Sequence, residues 1–138
     1  MRRVRRIVGL LSGLVICSCA LTGLDSKARE EFDVSVKGYN RMLRWHEMEM
    51  AGTAYTPEAL RDSFLKAVEQ LKQRGVTITD FRIVSHELKP DSLTGQVVAE
   101  FDYYILPSNR IKTVTYRQNW QYASGTGWRV SSPLPSFE

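Results

Sequence analysis

Residues 95–106 read GQVVAEFDYYIL, and their period decides the fold. Val97, Ala99, Phe101, Tyr103 and Ile105 fall on one side of an extended chain, and all are apolar. Val98, Glu100, Asp102, Tyr104 and Leu106 fall on the other and mix charge with bulk. Such alternation marks a strand with one face on a core. Three further β-branched or aromatic runs share the character: VTITDFRIVSHEL (76–88), RIKTVTYRQNWQY (110–122) and GWRVSS (127–132). The segments between them, KPDSLTG (89–95), PSN (107–109) and ASGTG (123–127), are short and turn-rich, so neighbouring strands run antiparallel as a four-stranded meander.

Before Gly75 the period is helical. The spacing predicts one long helix over 25–52, capped by Asp25 or Ser26, with Glu30 and Glu31 where the helix dipole favours negative charge. Phe32, Val36, Tyr39, Leu43 and Met50 form its core stripe, which Met42 and Trp45 widen. Gly38 inside it points to close packing, and Gly52 ends it. A second helix follows in YTPEALRDSFLKAVEQLKQRG (55–75), with Thr56 as N-cap, Pro57 at the first helical position and Glu58 in the first turn. Leu60, Phe64, Ala67 or Val68, and Leu71 make its buried face, and Lys72 and Arg74 close it. The expected fold is α+β: two N-terminal helices packed on a curved four-stranded antiparallel meander. The tail PLPSFE (133–138) is extended, with Phe137 placed to tuck back.

In the order of its elements, helices first and an aromatic-rich meander after, the stretch 26–132 resembles cystatin-like and nuclear-transport-factor-two-like domains. The resemblance implies a cone in which the sheet wraps the helices. Its members include ketosteroid isomerases, polyketide cyclases and many non-catalytic modules, so the fold alone does not choose a function.

The chain opens MRRVRRIVGLLSGLVICSCALTG. Four arginines precede an apolar run from Ile7 to Ile16, too short to span the roughly 30 Å of a bilayer core as a helix. Charge, apolar run and small residues follow the order of a secretory signal peptide. The end, ICSC, resembles the bacterial lipobox: Ile16 is the aliphatic position, Cys17 the tolerant one, Ser18 the small one and Cys19 the lipidated cysteine. The resemblance implies cleavage between Ser18 and Cys19 and acylation of Cys19. The expected organisation is a signal peptide over 1–18, a short membrane-proximal tether over 19–27 and a single domain over 28–138. Two or three acyl chains, at about 0.8 kcal/mol per buried methylene, hold far better than one. By resemblance to lipoproteins of two-membrane envelopes, Ala20 in place of an aspartate favours the outer over the inner membrane, facing the periplasm.

The formal charge of +4 belongs to the leader. Four of the 19 Lys and Arg lie before Cys19, which leaves 15 against 15 Asp and Glu. A balanced domain gives no electrostatic reason to expect nucleic acid as a partner.

Chemistry is sparse. Isomerase-like enzymes place a carboxylate in an apolar cone, but alternation turns Glu100 and Asp102 away from the core. Val114, Tyr116, Gln118, Trp120 and Tyr122 share one face of the third strand, so Gln118 is either a polar group in a ligand pocket or an amide bonded to backbone at the sheet end. Trp45, Tyr103, Gln118 and Trp120 are the candidate pocket. His46 and His86 lack metal-ligand spacing, and no GxSxG, phosphate loop or dinucleotide fingerprint occurs. No metal or cofactor is expected. The expected function is a lipid-anchored, non-catalytic binding or structural domain, its partner an envelope protein or an apolar small ligand. The alternatives are a small isomerase, cyclase or hydrolase using the cone, or strand addition at an exposed edge.

Overall fold

A computed structural model describes residues 19–138, with side chains from Ser26 onward. The expected signal peptide, its cleavage at Ser18 and the sulfur of Cys19 lie outside the described residues. Three helices, α1 (Cys19–Arg44), α2 (Met48–Tyr55) and α3 (Glu58–Gln73), precede four strands, β1 (Val76–Lys89), β2 (Thr94–Ile105), β3 (Lys112–Ala123) and β4 (Gly127–Val130). The strands pair antiparallel in the order β1-β2-β3-β4. The α+β meander is as the alternation implied.

The helices differ from expectation in three ways. The single helix over 25–52 is broken at residues 45–47. There His46 takes φ 65°, its N–H bonds Leu43 O at 3.4 Å, and the Glu47 N–H reaches back to Met42 O at 2.9 Å. This pair of bonds around a left-handed residue is a Schellman C-cap, usually built on glycine. Gly52 consequently lies inside α2 rather than ending a helix. There a Cβ would fall 2.5 Å from the Phe64 ring, so α2 and α3 approach at glycine distance. Thr56 does not cap α3. It closes α2 through its N–H on Gly52 O at 3.2 Å, its hydroxyl is buried without a partner, and α3 begins at Glu58 after an extended Pro57. Third, α1 starts at Cys19, so the stretch read as a tether over 19–27 is helical. Nine helical residues rise about 13 Å where an extended chain would span about 30 Å.

One face of every element meets in the centre. Phe32, Val36, Tyr39 and Leu43 of α1 are buried as expected, while Met50 is 58% exposed, because the break at His46 rotates α2 and buries Met48 instead. Phe64, Val68 and Leu71 come from α3, Val97 through Tyr103 alternately from β2, and Trp128 and Val130 from β4. Leu60 stays exposed. Tyr39 is the hub: the rings of Tyr55, Phe64, Tyr116 and Trp120 lie with centroids within 6.5 Å of its own. Each aromatic pair of this kind adds about 0.5–1.5 kcal/mol beyond its buried area. Gly38 lets α2 cross α1, since a Cβ there would sit 2.5 Å from Tyr55 Oη. Phe137 does tuck back, packing edge-on against Tyr103 at 4.9 Å. Two register shifts in β1, between Ile78 and Asp80 and between Ile83 and Ser85, bend that strand as bulges do.

Candidate functional site

Two of the four candidate pocket residues come together, and what they make is packed interior. Gln118 and Trp120 stand two apart on the inner face of β3, 1% and 2% exposed. Gln118 Nε2 donates to Asn40 Oδ1 at 2.7 Å, and Asn40 Nδ2 returns a bond to Gln118 Oε1 at 3.3 Å. Trp120 Nε1 donates to the same Gln118 oxygen at 3.1 Å, while Asn40 Nδ2 also reaches Val36 O one turn back at 2.8 Å. Neither reading of Gln118 made from sequence holds: its partner is a second buried amide. Asn40 was missed, although it follows Val36 by four on the apolar stripe and so had to be buried. Two lone amides on facing apolar surfaces are the signal that could have paired them. Nearby, Tyr39 and Tyr116 share a hydroxyl–hydroxyl bond of 2.9 Å. Burial raises both phenols above their ordinary range, Tyr39 further through its neighbour Tyr116. They are neutral hydrogen-bonding groups at any physiological pH.

Trp45 and Tyr103 lie elsewhere. Trp45 is the residue before the left-handed turn, 63% exposed, with the Arg44 guanidinium 4.7 Å from its ring centroid. It was expected inside because helical periodicity was carried through a point where the helix stops. Tyr103 is buried, but its hydroxyl donates to Glu138 O at 2.7 Å and accepts the Glu138 N–H at 3.1 Å. It secures the tail rather than lining a cavity.

The carboxylates face outward as the alternation predicted. Glu100 Oε2 and Asp102 Oδ2 pair with the Arg82 guanidinium at 2.6 and 3.2 Å, and the Thr113 hydroxyl donates to Asp102 Oδ1 at 2.6 Å. The bond from Thr113, then Arg82, lowers the Asp102 carboxyl below its ordinary value. The result is a polar ladder across β1, β2 and β3 on the outer face. His86 is exposed, with Nε2 3.9 Å from Asp33, and His46 is exposed at its turn. Among the described residues no group of three potential metal ligands converges. The β1 edge carries Asp80, Arg82, Glu87 and Lys89 besides its two bulges, devices that oppose strand addition.

Open space lies at the surface, and two of its grooves flank the β3–β4 turn. One groove of about 480 Å³ runs between α1 and β4, past Glu30, Val34, Tyr55 and Trp128. A second, of about 420 Å³, lies between the start of α3 and β3–β4. Both touch Thr126 and Arg129.

No protein-family model matches the chain, and no curated protein matches it. Among solved structures it is similar to the intermembrane space region of the chloroplast protein ARC6. The TM-score is 0.52 at 15% identity, over 80% of this chain and 97% of that one. A likeness at that identity shows the fold: helices packed on an antiparallel sheet.

Proposed function

We propose that this chain is a lipid-anchored envelope protein whose α+β domain binds or braces a partner close to the membrane and carries out no reaction of its own. The observation behind this reading is the filled interior. The space where a cone-type enzyme would hold substrate contains the Asn40–Gln118 amide pair and a cluster of aromatic rings. The carboxylates that could serve as a base stand outside it, bonded to Arg82.

The anchor rests on the leader. Ile16-Cys17-Ser18-Cys19 after an arginine-flanked apolar run fits acylation of Cys19, and among the described residues no helix is long and apolar enough to cross a membrane. That the similar ARC6 region belongs to an intermembrane space is compatible with an envelope setting, with outer-membrane placement suggested by Ala20. Intact-mass spectrometry of the protein purified from membranes tests it. The expected species begins at Cys19 and carries acyl groups that the Cys19→Ser variant lacks. A chain retaining residues 1–18 without an acyl adduct would overturn the anchor. For the domain, the expected result is that Asp102→Asn and Glu100→Gln leave partner recovery from solubilised membranes unchanged.

A further inference from the structure

The groove at the start of α3 brings together two arginines that sequence spacing could not associate. Arg61 lies on the first turns of α3 and Arg129 on β4, and both line it. Each is held by the end of α2: Arg61 Nη2 donates to Thr53 O at 3.5 Å, and Arg129 Nη1 to the next carbonyl, Ala54 O, at 2.5 Å. Consecutive carbonyls thus hold both guanidinium heads at one helix C-terminus, whose dipole tolerates positive charge. Among the described residues neither head pairs with a carboxylate. Arg61 Nε is buried with no hydrogen-bond partner, a costly state for a charged group's donor. Glu58 lines the same groove and is exposed. Tyr122 forms part of the wall.

We propose that this groove binds a phosphate ester bearing an ammonium group, the phosphate on Arg61 and Arg129 and the ammonium toward Glu58. A carboxylate has two oxygens, which a single guanidinium fork already fills. A phosphate has enough oxygens to engage two guanidinium groups at once. Glu58 repels a purely anionic ligand and so selects one with a cationic neighbour. Ethanolamine phosphate has this chemistry, whether as a free ester or as a phospholipid headgroup. The inference deepens the binding-module reading by naming the ligand class.

The test uses the full chain in a maltoside detergent, with the arginine Nε–H resonances followed by NMR. O-phosphoethanolamine, inorganic phosphate and ethanolamine are titrated separately, and phosphatidylethanolamine is doped into the micelles in a further series. The expected result is a saturable shift of the Arg61 and Arg129 signals with O-phosphoethanolamine and none with ethanolamine. Arg129→Lys, which keeps charge and loses the fork, weakens binding about tenfold. Glu58→Gln, at an exposed position that leaves folding intact, weakens O-phosphoethanolamine but strengthens inorganic phosphate. A larger response to doped lipid than to free ester identifies the headgroup as the source; an equal or smaller one identifies the free ester. No shift up to about 10 mM, a weaker affinity than any specific site of this kind would have, overturns the proposal. So does a Glu58→Gln change that moves both affinities the same way. A silent groove on a chain still acylated at Cys19 removes the ligand and leaves the anchored module standing; a responsive groove on an unacylated chain does the reverse.

Discussion

The buried amide pair can be tested by replacing Asn40 and Gln118 with apolar residues of similar size, singly and together. Asn40→Leu strands one group, the Gln118 Nε2 donor, because Gln118 Oε1 still accepts from Trp120. Gln118→Met strands two, Asn40 Oδ1 and Trp120 Nε1, while Asn40 Nδ2 keeps Val36 O. The double variant strands only Trp120 Nε1. At about 2 kcal/mol per stranded buried group, the singles should cost about 2 and about 4 kcal/mol and the pair only about 2. The expected coupling is therefore about 4 kcal/mol, large for neighbouring residues. A domain of this size is stable by roughly 5–15 kcal/mol, so every variant should fold. Urea unfolding followed by tryptophan fluorescence, with unchanged m-values as the check on two-state behaviour, measures each corner. Additive costs would show that the two amides do not depend on each other.

His46→Gly should stabilise by about 0.5–1 kcal/mol, because glycine takes the left-handed C-cap position without steric cost; a loss of stability would mean the imidazole has an essential partner. Gly52→Ala should destabilise by about 1–3 kcal/mol despite alanine's better helix propensity, since the new methyl meets the enclosed Phe64 ring, whereas Gly38→Ala meets chiefly the hydroxyl of the half-buried Tyr55 and should be milder in the same melts. Because Tyr39 and Tyr116 have folded pKa values above the unfolded value of about 10, their contribution is complete below that pH and is lost as pH rises past it. In NMR spectra of ring-labelled tyrosine, the Tyr39 and Tyr116 signals should turn to phenolate only together with unfolding, and ionisation of either in the folded protein would contradict the buried pair. Asp102 has the opposite sign: its depressed folded pKa gives stability present above about pH 4 and lost as pH falls through the folded value. Thr113→Val should move the NMR titration midpoint of the Asp102 carboxyl upward; an unchanged midpoint would deny the hydroxyl its part.

The strands were readable because a period of two needs only neighbours. Val97 to Tyr103 and Tyr116 to Trp120 face the core as their alternation required, and Glu100 and Asp102 face away. The helical break was not readable. Apolar residues continue at helical spacing through Trp45 to Met50, and the left-handed turn is made by His46, where no glycine or proline announces it. Trp45 was misplaced for that reason alone. The Thr56 cap failed because Pro57 is extended and the helix waits for Glu58. Arg61 and Arg129 carried no signal at all. Their association is made by α2, which sets consecutive carbonyls between two segments far apart in the chain.

The first helix has a mechanical consequence. It runs unbroken from residue 19 to Ala28, whose carbonyl takes the Trp128 indole N–H at 2.8 Å. A stiff rod passes on torque that a slack cord would dissipate. Whatever grips the lower end of that rod also sets the compass bearing of the body, and which flank it turns toward a neighbour is then decided at the pivot.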